Sequence, residues 1–482
     1  MSRFLNNLIF MVMAAAAALG AAGAIAGGPG ENGAGFTAAR VDAAGLVIAS
    51  SAVTESQGTQ TVNLKDSTAS GDSRDEALRN DLPELAQVRV ALDEHPAVRA
   101  AQAGLALAAA NRDRLVTGSH EFVVHGDAAR RTVGGAGGEG AAGYGDWTLA
   151  IERSLRLPAK ARIDAALGEG ELRLAQLALG DARHEAAREL LDGWVGWLGE
   201  QAQLQLWQRQ SELAAKLTEI TVRRLSHGDA SRMELQMAQA VQAQVDAQRE
   251  QARARAQTAF ADLRSRFPGL RVRSAIGLVT PSPLSGDPKT WQQRILDESH
   301  ELMHAQALAA RAQLEASREQ AERTPDPSIG VRMTSERSGA ERIAGVFVSM
   351  PLSGNYRAAG ARAASARAEI AERQVRAVER GLLARTAAAQ AQLAGSLRAW
   401  LAARDAAQRL AKTAALSQRA YELGETTLAE VLLARRVAAD AELAQLKLME
   451  QSVLSRYRLL LDAHMLWPLD DDSALSVEGV RR

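Results

Sequence analysis

The chain of 482 residues contains no cysteine. That excludes disulfides, thiol nucleophiles, Cys-based zinc sites and anchoring through an acylated cysteine, so any membrane attachment must come from the fold. Aromatic residues are scarce, at 4%, although 46% of the chain is hydrophobic. Much of that apolar share is alanine, which has the best helix propensity and buries little surface; this suits long helices packed side by side better than a thick globular core. A surplus of one charge is also missing, with 57 Lys+Arg against 57 Asp+Glu, so electrostatics give no reason to expect a nucleic-acid partner. Proline is absent from 159–225 and from 355–423. No phosphate-binding glycine loop and no nucleophile elbow occurs.

Long apolar runs are lacking everywhere but the start. Arg3 supplies a positive beginning, Leu8 through Leu19 is apolar, and Ala24-Ile25-Ala26 is a small-residue cleavage site, together the pattern of an export signal over 1–26. The run is too short for a bilayer core, which needs about 20 apolar residues. Residues 27–80, rich in Gly, Ala, Ser and Thr, lack apolar periodicity and read as a flexible leader.

What is present is a duplication. Arg223-Arg224-Leu225-Ser226-His227-Gly228-Asp229-Ala230-Ser231-Arg232-Met233-Glu234 and Ala420-Tyr421-Glu422-Leu423-Gly424-Glu425-Thr426-Thr427-Leu428-Ala429-Glu430 carry the same punctuation. In each an Ala-rich helical pattern stops at a glycine and restarts at once, as at the tip of a helical hairpin. The copies lie roughly 200 residues apart, which makes the chain two repeats of one unit. Leu92-Asp93-Glu94-His95-Pro96 opens the first repeat (81–285) and Leu296-Asp297-Glu298-Ser299-His300 the second (286–467), with a tail over 468–482. Pro281, Pro283 and Pro288 mark the boundary.

After its opening helix each repeat changes from a period of 3.6 to a period of 2. Trp147 to Leu157 sets Trp147, Leu149, Ile151, Leu155 and Leu157 on one face, opposite Thr148, Ala150, Glu152, Ser154 and Arg156. Its counterpart, Ile343 to Leu352, lines up Ala344, Val346, Val348, Met350 and Leu352. Phe122 to Arg131 and Ser328 to Ser335 precede them as weaker strands, each pair joined by a Gly-containing loop. Such strands fit a half-buried soluble sheet or a transmembrane barrel with a wet lumen. Export, together with Phe122, Tyr144 and Trp147 at strand ends in the manner of an aromatic girdle, favours the barrel. Four strands cannot close a barrel, whereas three chains supplying four each make a closed one of twelve. From about Pro158 to Leu225 and from about Asn355 to Leu423 the pattern is helical, the second helix roughly 100 Å long. Leu432, Ala439, Leu446, Val453 and Leu460, with Leu443 and Tyr457, form a heptad seam. A second, Ala-rich seam lets each helix touch neighbours on both sides, as in a tube.

From about Leu82 to Pro468 the residues resemble the TolC family of outer-membrane efflux channels. The likeness lies in the paired openings and strand pairs, in Leu-Pro-Ala-Lys at 157–160 and Leu-Ser-Gly-Asn-Tyr-Arg at 352–357, and above all in the second tip, Tyr421 to Leu432. It implies an α+β membrane protein: a homotrimer with a 12-stranded outer-membrane barrel, four strands per chain, continued by a 12-helix periplasmic α-barrel. It also implies a passive duct with no enzymatic activity and no cofactor, docking with a periplasmic adaptor and an inner-membrane pump of the RND type. Gly228 and Gly424, with Leu225 and Leu423, match the adaptor-docking tips. Glu234 and Glu430 fall where the family places aspartates at the periplasmic gate, and Tyr421 where it places a tyrosine bonded to the first of those acids. Thr426 departs from an arginine found in some members, and His227 and Asp229 from apolar residues common beside the first tip glycine. His227-Gly228-Asp229-Ala230-Ser231 and Ile151 to Arg162 look closest to the heavy-metal cation (CzcC-like) branch; a drug or solvent pump is the alternative.

Two other classes stay open. His300-Glu301-Leu302-Met303-His304 matches the H-E-x-x-H pattern of zinc metalloproteases, although no third ligand follows at a usable spacing; Glu319 and Glu322 continue the same helix. His95, His120, His125, His184, His227 and His464 form no cluster by spacing, and His125 shares a strand face with Asp127. A periplasmic coiled-coil scaffold would explain the helices and tips but not the strands.

Overall fold

The computed structural model describes residues 81–134, 142–271, 277–467 and 469. The export signal, the leader and all of the tail but Leu469 lie outside the described residues. Two short helices, α1 (Leu85–Asp93) and α2 (Pro96–Thr117), lead into strands β1 (Phe122–Val133) and β2 (Ala142–Ser154), then the long helix α3 (Pro158–Ser226) and its return, α4 (Arg232–Arg266). The same order follows again as α5 (Pro288–Glu298), α6 (His300–Ala321), β3 (Ser328–Glu336), β4 (Glu341–Ser349), α7 (Asn355–Glu422) and α8 (Leu428–Asp462). The long helices have 69 and 68 residues and the returns 35 each. At 1.5 Å per residue α3 runs about 100 Å. Pro158 and Pro288 stand in the first turn of their helices, where the missing N–H costs nothing. Among the described residues no helix is long and apolar enough to cross a membrane.

Helix α3 packs against α2, α4, α6 and α8, and α7 against α8 and α6. Close approach is bought by small residues: a Cβ on Gly168 would lie 3.0 Å from the Arg112 Cα of α2. The largest core gathers Val88 and Leu92 of α1, Leu190, Leu191, Trp194 and Leu198 of α3, Leu263 of α4, and Val453 and Tyr457 of α8. Each fully buried leucine there contributes about 2 kcal/mol of transfer free energy. Two of its polar tips are satisfied within it: Trp194 Nε1 donates to the Asp81 carbonyl at 2.7 Å, and the Tyr457 hydroxyl meets both Asp81 carboxylate oxygens at 2.8 Å. On the α8 seam, Ala439, Val453 and Tyr457 are buried, while Leu432, Leu443, Leu446 and Leu460 are half-buried.

The four strands form one antiparallel sheet in the order β1-β2-β3-β4. Strand β2 begins earlier than the alternation of Trp147 to Leu157 suggests, because Gly143 and Gly145 pair with Thr132 and Arg130 of β1 instead of forming a loop. Trp147 is therefore mid-strand, opposite Ala128, and not at a strand end. At its far end β2 stops at Ser154: the Leu155 amide binds the Pro327 carbonyl at 2.8 Å, and the Leu157 amide binds Asp326 Oδ1 at 3.0 Å. β4 likewise ends before Pro351. β3 and β4 are joined by a single 3-10 turn, Arg337–Gly339. Phe347 lies across Gly330, where a side chain would collide with its ring.

A buried ionic network fastens the sheet to the helices. Lys160, 1% exposed, lies 3.1 Å from Glu322 and 3.2 Å from Asp326. Arg318 and Arg156 bind Asp164 at 2.6 and 3.2 Å. Arg156 also donates to the carbonyls of Leu115 and Val116, capping the C-terminus of α2. Each charge has an opposite partner, without which its burial would be costly.

Candidate functional site

The site is built from two features, the hairpin tips and the sheet. At the first tip α3 ends in a Schellman motif: the Gly228 amide binds the Leu225 carbonyl at 3.1 Å and the Asp229 amide the Arg224 carbonyl at 2.9 Å. The second tip repeats it, with Gly424 to Tyr421 at 3.0 Å and Glu425 to Ala420 at 2.9 Å. Gly228 has φ +83° and Gly424 +79°, the left-handed geometry that this cap demands of its central residue. No atom lies within 4 Å of a Cβ added at either, so both glycines serve the backbone and leave open space beyond it. Leu423 is exposed beside the second.

Each return helix opens in a capping box. Ser231 Oγ accepts from the Glu234 amide at 3.1 Å, and Glu234 Oε2 accepts from the Ser231 amide at 2.7 Å. Thr427 and Glu430 do the same at 3.4 and 3.3 Å. Both boxes are legible in the sequence as Ser231-x-x-Glu234 and Thr427-x-x-Glu430. Glu430 also accepts from the Thr426 hydroxyl; that bond, with the Thr427 amide, holds its carboxyl below the usual range. It remains exposed.

Tyr421 departs from the expected arrangement. Within one chain it makes no bond to Glu234, whose carboxylate is turned to its own cap. Tyr421 is fully buried, with its hydroxyl 3.4 Å from Thr221 Oγ1. Thr221 already donates to the Leu217 carbonyl at 2.9 Å, which leaves Tyr421 as the donor. Burial wins because the ring fills a cluster with Leu217, Ala238, Leu428 and Val431 that joins the two hairpins. Arg224, which sequence reasoning passed over, lies over this ring at 4.3 Å. It donates to the Tyr421 carbonyl at 2.5 Å and to that of Asp229 at 3.2 Å. Next to this cluster a cavity of about 550 Å³ opens between α3, α4 and α8, lined by Trp207, Val241, Leu433 and Leu443.

In the sheet the usual distribution is reversed. The apolar row is exposed: Trp147 is 44%, Leu149 53%, Val331 52% and Val346 75% accessible. The opposite face is polar and bonded across the strands. His125 meets Glu152 at 3.1 Å, Arg131 meets Asp146 at 2.9 Å and Glu336 at 2.7 Å, and Thr148 meets Thr334 at 3.1 Å. The outer edges of β1 and β4 have no strand partner among the described residues.

Among the described residues no group of three donors is set to hold a metal. In the H-E-x-x-H segment Glu301 is paired with Arg385. Three histidines that spacing along the chain does not group, His184, His300 and His464, meet in space because the segments that carry them pack together.

No family model and no curated protein matches the sequence. Solved structures do match. The chain is similar to a membrane protein from Pseudomonas aeruginosa, with a TM-score of 0.64 and 18% identity over 80% of this chain and 93% of the other. It is similar to the CmeC outer membrane channel of Campylobacter jejuni, with a TM-score of 0.61 and 13% identity over 82% and 89%. It is also similar to the outer membrane protein VceC of Vibrio cholerae, with a TM-score of 0.59 and 17% identity over 79% and 95%. The chain has the fold of these outer-membrane channels, and the heavy-metal branch is not singled out among them.

Proposed function

We propose that three copies of this chain form a passive exit duct in the outer membrane, the channel of a tripartite efflux system. The carrying observation is the reversed sheet, whose apolar face is exposed and whose polar face is internally bonded. Lipid satisfies the first face and a wet lumen the second. Free edges on β1 and β4 call for strand partners, and a ring of three sheets supplies them, giving twelve strands with no edge left. The long helices, read as two repeats over 81–285 and 286–467, continue the duct into the periplasm as twelve. The cavity beside Trp207 and Leu433 and the Ala-rich second seam give each helix pair a surface for the next copy.

The tips, with Leu225, Gly228, Leu423 and Gly424, dock a periplasmic adaptor that links the duct to an inner-membrane pump of the RND type; that pump supplies the energy. Glu430, exposed and ionised, forms a three-fold acidic ring at the periplasmic end, with Glu234 and Tyr421 near it, and favours cations. The cargo is heavy-metal cations, on the likeness of the first tip and of 151–162 to that branch; a drug or solvent pump is the second reading. The protease reading loses ground because Glu301 is engaged by Arg385, and the scaffold reading because it leaves the apolar sheet face in water.

Detergent extraction from outer membranes tests the proposal. A particle of trimer mass, with a heat-resistant sheet signal and ion conductance in planar bilayers, is the expected result. A monomeric, water-soluble particle without conductance overturns it.

A further inference from the structure

Charge is segregated between the two faces of the sheet. The register places every acid of the four strands, Asp127, Asp146, Glu152, Glu336 and Glu341, on the polar face. The charged residues of the apolar face are Arg130, Arg153 and Arg342, all exposed. Arg153 stands at the end nearest the helices, where it donates to the His120 carbonyl at 2.9 Å and lies 5.0 Å over the Phe122 ring. Arg130 and Arg342 stand at the opposite, loop end, on the edge strands β1 and β4. We propose that Arg130 and Arg342 bind the phosphate monoesters of a glycolipid of the lipid A type, in the membrane leaflet on the loop side. This rests on the outer-membrane channel reading, in which the helices extend into the periplasm and the loop end faces outward.

The two arginines sit at the height where headgroups begin. Arg130 follows Phe122 by eight residues on β1, about 27 Å along the strand and about 20 Å in height at the tilt of a membrane barrel. Between these levels the face carries Val124, Leu149, Ile151, Val331 and Val346, all exposed. An apolar band of about 25 Å therefore ends close to Arg130. Trp147 shares a cross-strand row with Ser335 and Arg342 on this face, and such an amphipathic ring suits a lipid–water boundary. Three-carbon stems let both guanidiniums rise from the apolar wall into the headgroup layer.

Both guanidiniums are also available. Arg131, next in the chain but on the polar face, is taken by Asp146 and Glu336, and Arg337 by Glu341. Among the described residues no ion pair or hydrogen bond engages Arg130 or Arg342, because the pleat turns the acids of their own strands to the other side. The Arg130 guanidinium lies over Gly143, 3.4 Å from where a Cβ would stand, with its outer side uncovered. A phosphate monoester brings close to two negative charges and three acceptor oxygens, which the guanidinium fork meets with paired N–H donors. A phosphodiester lipid brings one charge and two such oxygens. Arginine on an edge strand also discourages stray pairing, a role that needs no phosphate and gives no preference among lipids.

The test is native mass spectrometry of the full-length particle extracted in detergent and offered lipid A, dephosphorylated lipid A or phosphatidylglycerol. A trimer that retains lipid A in preference to the other two is expected. Arg130→Gln and Arg342→Gln each weaken that retention at least about fivefold, while Arg332→Gln, on the polar face, leaves it unchanged. The trimer mass in the same spectra shows that each variant assembles; if one does not, the other decides. A trimer that holds all the lipids equally, that keeps its preference with both arginines replaced, or that loses it equally in Arg332→Gln overturns the site and leaves the channel reading standing. A particle that is not a trimer overturns the channel reading and the site with it.

Discussion

The guanidinium of Arg224 lies 4.3 Å over the ring of Tyr421 and donates to that residue's carbonyl at 2.5 Å, so one side chain at the end of α3 holds the end of α7. A stacked cation contributes about 0.5–2 kcal/mol and a charge-assisted hydrogen bond about 1.5–3 kcal/mol. Arg224→Ala should therefore open the tips locally while leaving the core around Trp194 intact. Hydrogen exchange followed by mass spectrometry checks this. Amides over 217–238 and 421–432 lose protection and those over 186–198 keep theirs; equal loss in both regions would mean that Arg224 supports the whole fold.

Glu430 has two roles that separate experimentally. Its carboxylate belongs to the capping box of α8, and in the proposed trimer it forms the acidic ring. Thr427→Ala breaks the cap at a cost of about 1 kcal/mol and keeps the charge. Glu430→Gln removes the charge. Bilayer conductance should show reduced cation preference for Glu430→Gln and none for Thr427→Ala; a like response from both would assign the effect to the cap.

Gly424 is required by its backbone angle, and nothing crowds the space beyond it. Gly424→Asn, a residue that tolerates left-handed geometry, should fold with little loss, and Gly424→Ala should cost about 1 kcal/mol. Gly424→Trp, projecting into the docking surface, should abolish efflux in cells while the assembled particle keeps its mass on a native gel. Retained resistance would count against docking at this tip.

Stability should fall as pH rises through neutrality. Burial, reinforced by Glu200, pushes the Glu450 carboxyl up to about 7, and burial pushes Asp81 up to about 6 against the pull of the Tyr457 hydroxyl. Both folded values lie above the unfolded ones near 4. Between about pH 4 and 7 the native state thus keeps protons that the unfolded chain has released, so their contribution is full below pH 4 and lost above 7. Glu450→Gln should raise Tm at pH 8, by an amount equivalent to roughly 1–3 kcal/mol, and flatten the profile from pH 5 to 8. An unchanged slope would show that another group governs it.

Much of this was legible along the chain because its causes are local. An uninterrupted Ala-rich pattern foretells α3 and α7 to within a residue or two, since no proline breaks either span and the glycines at 228 and 424 supply the left-handed caps that end them. Alternation in Val331-Arg332-Met333-Thr334 names the two faces of β3, since side chains on a strand point to opposite sides. The glycines of β2 misled for the same reason: Gly143 and Gly145 favour turns taken alone, and only pairing with β1 draws them into the strand and moves Trp147 to its middle.

By itself, then, the sequence determined the long helices and their caps, the alternating faces of the strands and the tip glycines, all set by energies that act over a few residues. Tertiary structure alone decided that Tyr421 turns inward to Thr221, that Arg224 spans two hairpins, that Lys160 is buried between Glu322 and Asp326, and that His184, His300 and His464 share a pocket. Those partners meet through the register in which long helices pack. That register comes from the fit of many side chains at once, and no short stretch of chain records it.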